Sequence, residues 1–205
     1  MQHNHRTHAA QSGFTLVELS IVLVIIGLII GGVLTGQQII QNARVTSAVN
    51  GVQAYQAQFQ TYAQNYGALP GDDSKAFDRF PNNVTNDQVG SGDGKIDENE
   101  ISFVWIHLQA AGLVKSSAAA APPNPFSGTY GFHNGAFGVF TTTTLCLDKI
   151  PAYAAQVIDS KLDDGVGNTG AARAIEYVDG ADVTAIATPL ATYSDDKTFT
   201  MCVRM

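Results

Sequence analysis

The alternation of apolar and polar positions changes character twice along the chain. From Leu19 to Leu34 every residue other than Ser20 and three glycines is aliphatic, and the 25 residues between Glu18 and Arg44 contain no Asp, Glu, Lys or Arg. A helix needs roughly 20 apolar residues to cross a bilayer, so residues 14–36 read as a membrane-spanning segment. The helical pattern continues from Gln37 to Tyr66 without a proline, and Tyr55, Phe59, Tyr62 and Tyr66 recur on one helix face. Residues 14–66 are therefore expected to form one helix of about 80 Å, stopped by Gly67 and Pro70. The aromatic stripe fits a helix face packed on a sheet better than a path for electrons.

Residues 67–205 read as a globular head. Pro70-Gly71-Asp72-Asp73 predicts a loop, Ile101 to Val114 a second short helix, and the Ala- and Pro-rich stretch Ser116 to Pro125 a linker. From Phe126 the period becomes two. Tyr130 to Phe140 carries Asn134-Gly135 as a hairpin signal, and Thr141 to Leu147 extends the strand. Pro151 suits the first turn of a helix running to about Leu162 and closed by Asp163-Asp164-Gly165. Strands near Ala174–Val178 and Thr198–Arg204 complete an antiparallel sheet. The fold class is α+β: a long N-terminal hydrophobic helix on a C-terminal antiparallel sheet.

Composition narrows the function. A chain of 205 residues holds one ordinary domain and an appendage, and with 14% charged against 45% hydrophobic residues it is far from a disordered profile. A net charge of −7 argues against broad binding to a phosphate backbone, so any nucleic-acid site would have to be a local patch, and the sequence demonstrates none. Cys146 and Cys202 stand 56 positions apart with no C-x-x-C, which excludes zinc-finger and iron–sulfur patterns and suggests one disulfide in an oxidising compartment. The segment Met1 to Gly13 holds Arg6, His3, His5 and His8 and no acid, so it should stay cytoplasmic with the head outside. The apolar run is too long for a cleaved secretory signal, and no small-x-small site precedes a polar start. Glu18 stands at the mouth of that run, where an unpartnered charge costs on the order of a few kcal/mol. It needs a partner.

Gly13-Phe14-Thr15-Leu16-Val17-Glu18, followed by the apolar run, resembles the class III signal of type IV pilins and of the pseudopilins of type II secretion. The resemblance implies a leader at 1–13, removed after Gly13 by a prepilin peptidase, and N-methylation of Phe14. It also implies transfer of the subunit from the bacterial inner membrane into an extracellular or periplasmic filament, a helical polymer of identical or related subunits. Glu18 would there pair with the terminal ammonium of a neighbour, and one paired set in an apolar medium costs less than two lone charges. Ala68-Leu69-Pro70-Gly71-Asp72-Asp73 and Ile158 to Gly165 also resemble phrases of prepilin-type heads. The chain departs from the usual pattern in having one Arg and three His in its leader and no proline between Phe14 and Leu69. Gly27, Gly31, Gly32 and Gly36 stand in that helix instead, open to two readings: local unwinding in a filament, or close helix packing.

Two further features carry candidate chemistry. Asp93, Gly94, Ile96, Asp97 and Glu100 match the second half of a calcium-binding EF-hand loop, but Val89 stands where its first Asp belongs. The segment is either a degenerate calcium site using Asp93, Asp97 and Glu100, with Asp87 as an additional ligand, or an acidic cap on the following helix. Asp159, Asp163 and Asp164 crowd a predicted helix end, to be held by Lys161, Arg173, a cation or solvent. His107 and His133 have no nucleophile in a recognisable motif beside them, so no enzymatic activity is expected. The leading expectation is a structural subunit of a type IV pilus or related filament, and the alternative is a minor pilin or secretion pseudopilin whose head binds a partner.

Overall fold

Residues 14–115 and 121–205 are described by the computed structural model of the protein; the leader at 1–13 and residues 116–120 of the expected linker lie outside the described residues. In chain order the elements are α1 (Leu16–Tyr66), α2 (Ala76–Arg79), α3 (Ile101–Ala110), β1 (Tyr130–Ala136), β2 (Phe140–Pro151), α4 (Ala152–Leu162), β3 (Ala172–Glu176) and β4 (Thr198–Arg204). The four strands make one antiparallel sheet in the order β1-β2-β4-β3. Contacts divide the chain into two units, Met1–Asn42 and Ala43–Met205, so the later part of α1 belongs with the head.

Within the first unit α1 passes through Gly27, Gly31, Gly32 and Gly36 without a break. Two of its hydroxyls turn back on the helix: Ser20 Oγ donates to the Val17 carbonyl (2.8 Å) and Thr35 Oγ1 to that of Gly31 (3.0 Å). A hydroxyl satisfied by its own helix needs no water, which suits an apolar environment.

In the second unit the aromatic stripe packs on the sheet and on α3. Val45, Ala48, Val49 and Val52 are buried at helical spacing. Below them Tyr55 meets Trp105 edge-on (5.0 Å between ring centres) and Tyr130 (4.9 Å), and Phe59 lies 5.5 Å from Phe132. Gly51 sits in mid-helix because a Cβ there would collide with the Tyr130 ring, whose hydroxyl donates to the Ala48 carbonyl at 3.3 Å. That close approach offsets the ~1 kcal/mol a glycine costs inside a helix.

The hairpin forms, but Asn134-Gly135 is not its turn. The chain reverses at Phe137–Val139, between the paired residues Ala136 and Phe140, and the register shifts between Asn134 and Ala136. Gly135 supplies φ +80° at that bulge, whereas Phe137 (φ 55°) and Gly138 (φ 67°) make the reversal. Burial explains why a phenylalanine accepts a left-handed backbone. Phe137 is 1% exposed and joins Ala136, Phe140, Cys146 and Cys202 in a second apolar cluster.

Cys146 and Cys202 face each other across β2 and β4 and are joined by a disulfide. Since β3 pairs with β4 at the edge of the sheet, this bond ties the last two strands to β2. Replacing both cysteines with serine should lower stability by roughly 4 kcal/mol on the chain-entropy account for a loop of this length. Denaturant midpoints of the two proteins check this; a loss under about 1 kcal/mol would mean that sheet pairing alone holds β4.

Candidate functional site

The start of α1 is closed by a reciprocal cap. Thr15 precedes the first helical residue, and its backbone N–H and its hydroxyl both donate to Glu18 Oε2 at 2.8 Å, while the Glu18 N–H donates back to Thr15 Oγ1 at 3.3 Å. This is a capping box, spelled in the sequence as Thr-x-x-Glu. The spacing could have been read from the sequence alone, because it directly precedes an apolar run. Glu18 Oε1 accepts no hydrogen bond among the described residues and is open to a further donor. Phe14 lies just before the cap and is exposed; Gly13, on the other side of the expected cleavage, lies outside the described residues.

Beyond the cap the helix has no cover. Seventeen large apolar side chains between Phe14 and Ile40 are exposed, on every side of the helix. Among the described residues α1 is the one helix long and apolar enough to cross a membrane.

The acidic loop of the head is organised around a carboxylate from another segment. Asp72 is buried, and its Oδ1 accepts the N–H groups of Gly92 (2.6 Å) and Asp93 (3.2 Å) and the hydroxyl of Ser91 (3.1 Å), while Oδ2 accepts the Gly94 N–H (2.7 Å). Glu100, also buried, accepts the Ser91 N–H on Oε1 (2.6 Å) and the Asp97 N–H on Oε2 (3.0 Å). Asp93 and Asp97 are exposed, Asp93 accepts the Lys95 N–H, and Asp87 accepts the Thr85 hydroxyl. The structure therefore does not gather Asp93, Asp97 and Glu100 into a group of metal-binding size. A calcium loop turns oxygens inward, whereas this loop turns N–H groups inward onto an anion. Among the described residues the acidic group of that size is Asp159, Asp163 and Asp164.

Asp73 anchors the same corner to α1. Its Oδ2 accepts the Tyr62 hydroxyl (2.7 Å) and pairs with Arg79 of α2, whose other nitrogen donates to the Tyr66 carbonyl (3.1 Å). His107, fully buried on α3, accepts the Gly71 N–H on Nδ1 (2.9 Å) and faces the Gln88 carbonyl with Nε2 (2.8 Å). That pairing requires a neutral ring protonated on Nε2. Burial holds the imidazoles of His107 and His133 below the ordinary histidine range.

Residues 8–34 match the family model described as the prokaryotic N-terminal methylation motif. No curated protein matches the chain.

Two measurements test this account of the head. Asp72→Ala leaves four donors without an acceptor and should cost about 2–4 kcal/mol in a denaturant titration, with hydrogen exchange at Gly92 and Gly94 accelerated first. Because His107 and His133 bind protons more weakly folded than unfolded, the unfolded chain takes up protons first as pH falls. Their contribution is complete above the unfolded value of about 6.5 and is lost as pH drops below it. NMR titration of both rings should show midpoints below that value; an ordinary midpoint for His107 would contradict the neutral, doubly bonded ring.

Proposed function

Taking as premise that this is a prepilin-type chain, bearing the N-terminal methylation signature of type IV pilins and pseudopilins, we propose that it is a structural subunit of a type IV pilus or pilus-like filament. The observation that carries the reading is the coincidence of that motif with an apolar helix uncovered in its own subunit. Such a helix is at home in a bilayer before assembly and against the helices of other subunits afterwards. A prepilin peptidase cuts after Gly13 and Phe14 becomes the methylated terminus. Glu18, held in place by Thr15, presents its open oxygen to the ammonium of a neighbouring Phe14. The head, closed by its disulfide, faces the oxidising side.

Intact mass of filament protein should give a chain starting at Phe14 with one added methyl group. Loss of Arg6 with no acid moves the formal charge from −7 to −8. Retention of Met1 in filaments would sink the processing step. Glu18→Ala should leave the subunit in the inner membrane but cut its recovery in sheared filaments roughly tenfold or more, because the neighbour's ammonium loses its counter-charge. Unchanged recovery would remove the pairing. A dominant band in the sheared fraction fits the main structural subunit, whereas a trace band would move the chain to a low-copy position.

A further inference from the structure

Three carboxylates meet at the C-terminal end of α4. Asp159, Asp163 and Asp164 each place an oxygen within 4.8 Å of one from each of the other two. The last carbonyls of a helix already present the negative end of its dipole there, so this is an unfavourable place for three acids. Among the described residues none of the three is in an ion pair. Arg173 attracts Asp164 from a distance, but its guanidinium is bonded to the Gly170 and Ala172 carbonyls and lies over the Phe140 ring.

A second observation comes from Asp159 itself. It is 0% exposed; its Oδ2 accepts the Tyr193 hydroxyl at 2.7 Å, and its Oδ1 accepts no hydrogen bond. A carboxylate oxygen removed from water without a donor is rare in folded proteins and costly. The other two acids are aimed by protein donors: Asp163 Oδ2 accepts the Ala172 N–H (3.0 Å), and Asp164 accepts the Val166 N–H (2.9 Å) and the Thr169 hydroxyl (2.5 Å). The group is thus positioned and dense in carboxylate oxygens, with one buried oxygen of Asp159 lacking a hydrogen-bond partner.

We propose that Asp159, Asp163 and Asp164 hold a hard divalent cation, calcium in preference to magnesium, where α4 turns towards β3. An all-oxygen donor set selects such ions over zinc or copper. Opposite ligands on calcium stand about 4.8 Å apart and adjacent ones closer, which the spread of these oxygens accommodates, while magnesium demands a tighter octahedron and gives up water reluctantly. The ion fastens the end of α4 to the entry of β3 and, through Tyr193, to the segment before β4. The site does not depend on the filament reading.

The test uses the full chain in detergent with terbium as the calcium probe, excited through tyrosine, since Tyr193 touches a ligand. Terbium emission should saturate and be displaced by calcium with a midpoint of about 10⁻⁴–10⁻³ M, the range of extracellular calcium modules. Magnesium should need a roughly tenfold higher concentration. Asp163→Asn with Asp164→Asn should weaken binding at least tenfold, and Asp93→Asn with Asp97→Asn should leave it unchanged. Tyr193→Phe should reduce the tyrosine-excited emission while directly excited terbium still binds, a local readout that survives even if the double variant folds poorly. Absence of saturable emission, emission insensitive to Tyr193→Phe, or binding lost with Asp93 and Asp97 instead would overturn the proposal.

Discussion

The uncovered apolar surface of α1 is the constraint to which the rest of this protein answers. Burying a large apolar side chain is worth about 1.5–3 kcal/mol, so seventeen exposed ones, even credited at half, represent on the order of 13–25 kcal/mol. That is as large as, or larger than, the about 5–15 kcal/mol that holds an ordinary domain together. The head's own core is formed without that surface, by Val45, Phe59 and Tyr62 with Trp105, Phe132 and Leu145. The first half of the helix is suited by length and composition to cover by lipid or by other apolar helices. Its Ser20 and Thr35 hydroxyls, turned back onto backbone carbonyls, leave it ready for either.

The same constraint gives the capping box its meaning. A charged residue at the edge of an apolar run is costly, yet the first turn of a helix also has orphan N–H groups and a positive dipole end that favour an anion. Thr15 and Glu18 meet both conditions at once, and only one carboxylate oxygen is needed to do so. Glu18 therefore has a local role in the lone subunit and capacity for a second donor.

Long periods were legible in the sequence and non-local pairings were not. The unbroken apolar run and the Tyr55–Tyr66 stripe located α1, and alternation located the sheet, because each depends on spacing within one segment. The sequence placed the hairpin's signal on Asn134-Gly135 because that pair suits a two-residue reversal, but tertiary burial of Phe137 moved the turn three residues on. The acidic loop shows the limit most plainly. Its calcium-like spacing was real, but Asp72, some twenty residues earlier, supplies the anion that organises it, and no local pattern announces that partner. Asp159 could be seen to crowd Asp163 and Asp164, but that one of its oxygens is sealed without a donor is a fact of packing.

The two acidic corners of the head thus resolve one electrostatic problem in opposite ways. Asp72 is a buried carboxylate inside a ring of N–H groups, and each donor aimed at it is also a loop residue held in place, so neutral dipoles stabilise the charge and the charge fixes the loop. At the end of α4 the backbone presents carbonyls rather than N–H groups, and the dipole has the wrong sign for an anion. Tyr193 satisfies one oxygen of Asp159, and among the described residues the other has no partner in hydrogen-bond geometry, although the Gly165 N–H lies near enough to favour the charged form. Where a loop offers donors, a carboxylate can stand alone; where a helix end adds its own negative dipole to three acids, a cation that the oxygens share would relieve what the few local donors leave.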